Sequence, residues 1–304
     1  MTFLRFISPF LVAVTLVAFL FSRISFETFP TIWANVSMVW VFLAVCVLAL
    51  GHALSIIRWR YLLFAVGVQL PVIEATKIYF GNLIIAKWTP AYSGDFLRAV
   101  YLKHRLPTTE GAAIIMIESL IDVFTLFSFV TFGALVMRDW FFLVIGILGI
   151  LFLGCVFLFF RSALIEHLPF AQTFAVRWRI IFRSPVGSPR VLFVALLCSI
   201  FIWLQTVFFV QLLFLAFGES LISFFHILTV QPIITLFALL PVTLGGLGTR
   251  EAAMLFFYSP MVAAPLVFMV ALVYSFVSLI LFPLVGVLFT FGRIKSAINN
   301  EEQR

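Results

Sequence analysis

Long apolar runs follow one another through almost the whole chain, at residues 6–22, 36–57, 111–137, 140–160, 191–217, 221–240 and 262–292. Hydrocarbon offers no hydrogen-bond partner to backbone N–H and C=O groups, so chains spanning it must form helices or a closed barrel. Runs of this length suit helices, because crossing a bilayer core takes about 20 helical residues but only about 10 in a strand. Composition agrees. The 304 residues are 64% hydrophobic and 10% charged, with mean hydropathy +1.23, whereas a globular domain is roughly a quarter charged. The expected class is an all-α polytopic membrane protein.

A net charge of +7 would suit a nucleic-acid partner, but the basic residues sit at the ends of apolar runs, as the positive-inside bias requires. Cys46, Cys155 and Cys198 lie within apolar runs with no CxxC spacing, and read as small core hydrophobes. No metal or cofactor is expected. The glycine-rich stretch near residue 245 lacks the lysine and strand context of a P-loop.

Residues 6–22 behind Arg5 resemble the start of a signal peptide but lead to no small-residue cleavage site, so a retained span is expected. Arg58-Trp59-Arg60 reads as an interfacial, cytoplasmic end of the second span. Residues 161–190 carry Arg177, Arg179, Arg183 and Arg190, with Trp178 between two arginines. That segment is either a helix lying on anionic headgroups or a basic loop that sets topology. A polar tail, Asn299 to Arg304, follows the last span. The expected location is the inner membrane, with both termini cytoplasmic.

Two segments break the pattern. Residues 61–105 mix charges with apolar residues around Trp88-Thr89-Pro90-Ala91-Tyr92-Ser93-Gly94-Asp95-Phe96-Leu97-Arg98. Residues 221–259 are interrupted by Pro241-Val242-Thr243-Leu244-Gly245-Gly246-Leu247-Gly248-Thr249-Arg250-Glu251. Their apolar flanks put both within bilayer depth, where non-helical backbone survives only if protein buries it or it lines a wet cavity. The 12 residues from Gly94 to Arg105 give roughly 18 Å of helix, too little to cross a core of about 30 Å. Each segment therefore reads as a re-entrant hairpin, broken at Pro90 and at Pro241.

The two hairpins match. Gly94 follows Pro90 by four residues, as Gly245 follows Pro241, and an arginine with a neighbouring acid comes next in both. By the charge rule they open to opposite sides. The expected architecture is an inverted repeat of three spans plus one hairpin per half. The first half is 1–138 with hairpin 61–105, and the second is 139–298 with hairpin 221–259. Such paired interruptions mark transporter sites near the midplane.

The chemistry follows from residue type. Arg98 and Arg250 bring planar guanidinium forks that suit phosphate. The breaks free backbone N–H groups at half-helix starts, and Gly94, Gly245, Gly246 and Gly248 let an anion approach them. Asp95 and Glu251 can neutralise the arginines, and Thr243 adds a hydroxyl. Glu118 and Asp122 share one helix face, either as a protonatable pair or as structural partners of Arg98 or Arg250. An anionic phospholipid or polyprenyl-phosphate headgroup is the expected ligand.

At these residues the chain resembles the lysylphosphatidylglycerol-synthetase transmembrane region, or flippase-like domain, the membrane half of multiple-peptide-resistance-factor proteins. Pro90 to Arg98 is similar to that family's first motif, Leu240 to Glu251 to its second, and Glu118 to Asp122 to its acidic helix. Ser93 stands where the first of two glycines is usual, and Ser119 where an arginine follows the glutamate. The resemblance implies lipid translocation, and with no soluble synthase half after the last span it does not imply aminoacyl-lipid synthesis. Two other readings stay open. One is an intramembrane lipid phosphatase using Ser93, Thr243, Thr249 or Glu251. The other is a non-catalytic partner of a lipid-modifying enzyme. A homo-oligomer is compatible with each.

Overall fold

The computed structural model describes residues 2–22, 26–161, 185–240 and 242–287. Every regular element among them is helical. In order these are α1 (Thr2–Ser22), α2 (Phe29–Ala34), α3 (Met38–Ala65), α4 (Val72–Lys87), α5 (Leu97–Tyr101), α6 (Thr108–Met137), α7 (Trp140–Arg161), α8 (Pro189–Ala216), α9 (Phe224–Leu239), α10 (Thr249–Tyr258) and α11 (Ala264–Phe276). Five of them are long and apolar enough to cross a membrane: α3, α6, α7, α8, and α11 with its continuation to Val287. The protein is a multi-pass, all-α membrane protein. Trp178 and the arginines around it, Pro241, and the tail lie outside the described residues.

The chain falls into two compact units of interleaved segments. The first comprises Met1–Leu48, Tyr79–Asp95 and Val207–Arg304, and the second Ala49–Ile78 and Phe96–Thr206. In the second unit, the turn between α6 and α7 is as short as the sequence suggests. Arg138 takes the left-handed conformation (φ 57°) that ends α6. Asp139 then accepts from the N–H groups of Phe141 and Phe142, at 3.0 and 3.3 Å, and starts α7. Such a carboxylate satisfies donors that a helix start leaves free.

Both interrupted segments are broken helices. α4 has 16 residues and α10 has 10, about 24 and 15 Å of helix, so neither crosses a core of about 30 Å. A 3₁₀ stretch, Pro90–Phe96, follows α4. There Thr89 Oγ1 donates to Ala86 O (3.0 Å) and accepts from Gly94 N–H (2.8 Å), closing the turn. α9 stops at Leu239, and Leu240 is extended (φ −60°, ψ 131°), the conformation that a following proline imposes.

Within the first unit the two breaks touch. Gly245 (φ 60°) lies so near the end of α4 that an added β-carbon would sit 2.8 Å from Lys87 O. Only glycine accepts both that backbone and that approach. Trp88, next in sequence, donates from Nε1 to Leu279 O at 3.1 Å. The reason is covalent. The residue four positions after Leu279 is Pro283, which has no N–H to give that carbonyl. A π-helical stretch, Val277–Leu281, precedes the proline, as is common where a helix ladder is disturbed.

Pro265 sits in the first turn of α11, where its missing N–H does no harm. One sequence expectation changes. The second span does not end at Arg58, since α3 runs on to Ala65 with Arg58 and Trp59 buried. Trp88→Phe removes the donor to Leu279 O and is predicted to destabilise the protein by about 1–2 kcal/mol. The same change should do less harm in a Pro283→Ala background, where residue 283 can supply an N–H. Thermal unfolding of the four proteins in detergent measures both effects.

Candidate functional site

In the first unit the second motif folds into a tight cradle. Three glycines there have positive φ: Gly245 (60°), Gly246 (76°) and Gly248 (89°). The backbone doubles back and delivers Thr249 to the first turn of α10. The Thr243 and Thr249 hydroxyls bond each other at 3.1 Å, and Thr249 also donates to Gly246 O at 3.1 Å.

Arg250 and Glu251 are both buried, at 4% and 0% exposure. Arg250 Nη2 donates to Gly245 O (2.9 Å) and Nη1 to Ser275 Oγ (3.1 Å). Its guanidinium carbon lies 4.6 Å from the Tyr274 ring centre, a cation–π arrangement. Glu251 accepts from the Gly248 N–H and from Ser275 Oγ–H. The Ser275 hydroxyl thus links base to acid, accepting from Arg250 and donating to Glu251, the full use of a hydroxyl. An anion was expected at the start of α10, and the protein's own carboxylate holds that place. Any other anion there must displace Glu251 or engage the arginine.

Of the first motif, Gly94 and Asp95 fall in the first unit. Gly94 is buried against α4, where a β-carbon would lie 2.8 Å from Ile85 O. Asp95 Oδ1 accepts from Asn82 Nδ2 at 3.4 Å. The side-chain surroundings of Pro90 lie outside the described residues.

The second unit gathers Arg98, Glu118 and Asp122 around a residue that sequence reasoning placed elsewhere, Arg58. Arg58 donates to Glu118 Oε1 from Nε (3.2 Å) and Nη2 (3.0 Å). Its Nη2 also reaches Asp122 Oδ2 (2.8 Å), and Nη1 donates to Asp122 Oδ1 and Ser199 Oγ. Ser199 Oγ in turn donates to Asp122 Oδ1 at 2.8 Å. Arg98 Nη2 donates to the other oxygen of Glu118 at 2.9 Å, with its guanidinium carbon 5.1 Å from the Trp59 ring centre. Glu118 therefore bridges two arginines.

Small residues bring these helices within reach. On α6 and α5, Gly111 lies against Ala99, where a β-carbon would stand 3.0 Å from Ala99 Cβ. On α3 and α8, Gly51 leaves room for the Gln205 side chain. Ser119 is exposed and bonds the Ile115 carbonyl of its own helix (2.9 Å), so this serine takes no part in the cluster. Arg98 and Arg250 belong to different units, each with its own partners.

Comparison with known proteins adds one finding. The family described as lysylphosphatidylglycerol synthase TM region matches residues 6–286. A search of curated proteins finds no match.

Sequence reading missed Arg58, Ser199 and Ser275. Arg58 stands beside Trp59 and Arg60 like an interfacial anchor, but Arg60 alone bonds locally, to Leu70 O (2.8 Å). Ser199 and Ser275 look like packing serines in apolar helices. The available signal was periodicity, because Arg58 lies seven residues, two turns, after Gly51 on the packed face of α3. Arg58→Met leaves two carboxylates short of their shared partner and is predicted to cost about 3–5 kcal/mol. Adding Asp122→Asn should recover part of the loss, because Glu118 keeps Arg98. Thermal unfolding in detergent reads both.

Proposed function

Since the chain belongs to the lysylphosphatidylglycerol synthase TM-region family, we propose that it carries an anionic lipid between the leaflets of the membrane that holds it. The observation that supports this most is Arg250. Its guanidinium is buried at 4% exposure and bonds a hydroxyl and a carbonyl. These are weaker acceptors than a phosphate, which the same fork takes bidentately with charge-assisted bonds. A phospholipid or polyprenyl-phosphate headgroup exchanges with those partners at little structural expense. Glu251 and Ser275 hold the fork in place and restore the resting arrangement when the headgroup leaves.

The Arg58–Arg98–Glu118–Asp122 cluster supplies two further guanidiniums, kept neutral as a group by two carboxylates. The inverted repeat belongs to this reading, with the two broken segments opening in turn to opposite sides. So does placement in the inner membrane with basic, cytoplasmic ends. An intramembrane phosphatase finds less support. The Thr243 and Thr249 hydroxyls bond each other, and Glu251 is engaged by Gly248 and Ser275.

In proteoliposomes, Arg250→Ala is expected to slow the movement of a fluorescent anionic phospholipid by about tenfold or more, a barrier change of about 1.4 kcal/mol or above. Arg250→Lys should not restore it, because an ammonium lacks the fork. Arg98→Ala should also slow movement. Each variant must still insert and elute as a single species. Wild-type rates in Arg250→Ala and Arg98→Ala together would contradict the proposal.

A further inference from the structure

Helices α6 and α7 close up where Gly146 and Gly149 face Thr131 and Phe127, since a β-carbon on either glycine would collide with those side chains. Small residues permit such approach between membrane helices. Beyond this contact a groove opens between α6, α7 and the first turns of α8, enclosing about 650 Å³. That volume falls within the roughly 300–1,000 Å³ of small-molecule sites. Among the described residues its lining is apolar, and Gly154 contributes no side chain to it. A β-carbon at Gly154 would meet nothing within 4 Å.

Three observations identify the occupant. All three walls are helices long and apolar enough to cross a membrane, so the groove meets acyl chains and not water. Along α7 it runs from Ile150 to Leu158, about 12 Å of helix, close to the roughly 15 Å depth of one leaflet's hydrocarbon, half of about 30 Å. And two of the helices that line it also carry the charged cluster. On α6 the lining residues Ile117 and Ile121 each precede a member of the charged cluster, Glu118 and Asp122, and on α8 Leu196 lies one turn before Ser199. Asp122 is the least enclosed of them, with its side chain 32% exposed.

We propose that this groove binds one hydrocarbon chain of a bilayer phospholipid. A chain seated there is contacted from three sides, whereas one lying on a convex helix face is contacted from one. Dispersion grows with the number of close contacts, so the seated chain stays longer. An apolar cavity of this kind takes apolar matter and not water. As the tail site of a transported lipid it rests on the reading under Proposed function, but its test does not.

The test uses the full chain in phosphatidylglycerol and phosphatidylcholine vesicles doped with a phospholipid bearing a diazirine on one acyl chain. After illumination, adducts are mapped by peptide mass spectrometry. Adducts should concentrate on 150–158 and 189–196 and fall several-fold in Gly154→Trp, whose indole fills the groove. They should persist in Gly154→Ala. A second route avoids any folding defect. In a Cys46→Ser/Cys198→Ser background, Cys155, exposed and part of the lining, is alkylated with a bulky maleimide after reconstitution. The same loss of adducts is expected. Adducts spread evenly over the outer faces of α7, Trp140 and Phe141 included, or unchanged after both blocks, would overturn the proposal. The adduct pattern alone decides the groove, and lipid movement in Arg250→Ala alone decides the transport reading.

Discussion

A charge held at bilayer depth has no water to turn to, and so must be matched by the protein around it. Much of the arrangement described above answers that need. In the second unit, Glu118 is shared by Arg58 and Arg98, and Asp122 takes Arg58 and Ser199. Breaking such a set by removing one member costs far more than never having built it. The close helix contacts at Gly111–Ala99 and Gly51–Gln205 are therefore conditions for the cluster. In the first unit the same demand is met by Ser275, which ties Arg250 to Glu251.

The backbone obeys an equivalent rule. Three of the places where a helix stops or is disturbed among the described residues show a named substitute for a missing bond. Thr89 closes the turn after α4, Glu251 caps the start of α10, and the Trp88 indole serves the carbonyl that Pro283 cannot. Irregular backbone is tolerated at such depth only under this condition. Contacts of this kind also tie the first unit together, because Lys87 rests against Gly245 from the other broken segment and Trp88 against Leu279 from the continuation of α11. The two motifs thus meet by direct contact within that unit.

The all-helical class and most helix limits were legible in the sequence, because long apolar runs admit few alternatives. The runs at 111–137 and 191–217 became α6 (Thr108–Met137) and α8 (Pro189–Ala216), nearly as read. Glycines and prolines likewise announced the breaks near Gly94 and Gly245. Partner choice was not legible. Arg58 carries no mark that separates a buried hub from a headgroup anchor, since both follow an apolar run and adjoin a tryptophan. Pro265 and Pro283 look alike in sequence, yet one opens a helix and the other leaves a carbonyl to Trp88. Both differences come from long-range contacts, such as Arg58 with Ser199, which local pattern does not encode.

On this account the buried Arg250 guanidinium trades its hydroxyl and carbonyl acceptors for a lipid phosphate. Family membership fits that trade. The most direct measurement is phosphorus–nitrogen dipolar dephasing by solid-state NMR, on protein with ¹⁵N-labelled arginine in anionic-lipid vesicles. The resonance assigned to Arg250, by its absence in Arg250→Gln, should be dephased by lipid phosphorus at hydrogen-bonding distance. An Arg250 signal that phosphorus leaves untouched, in protein that is folded and fully lipidated, would contradict the account.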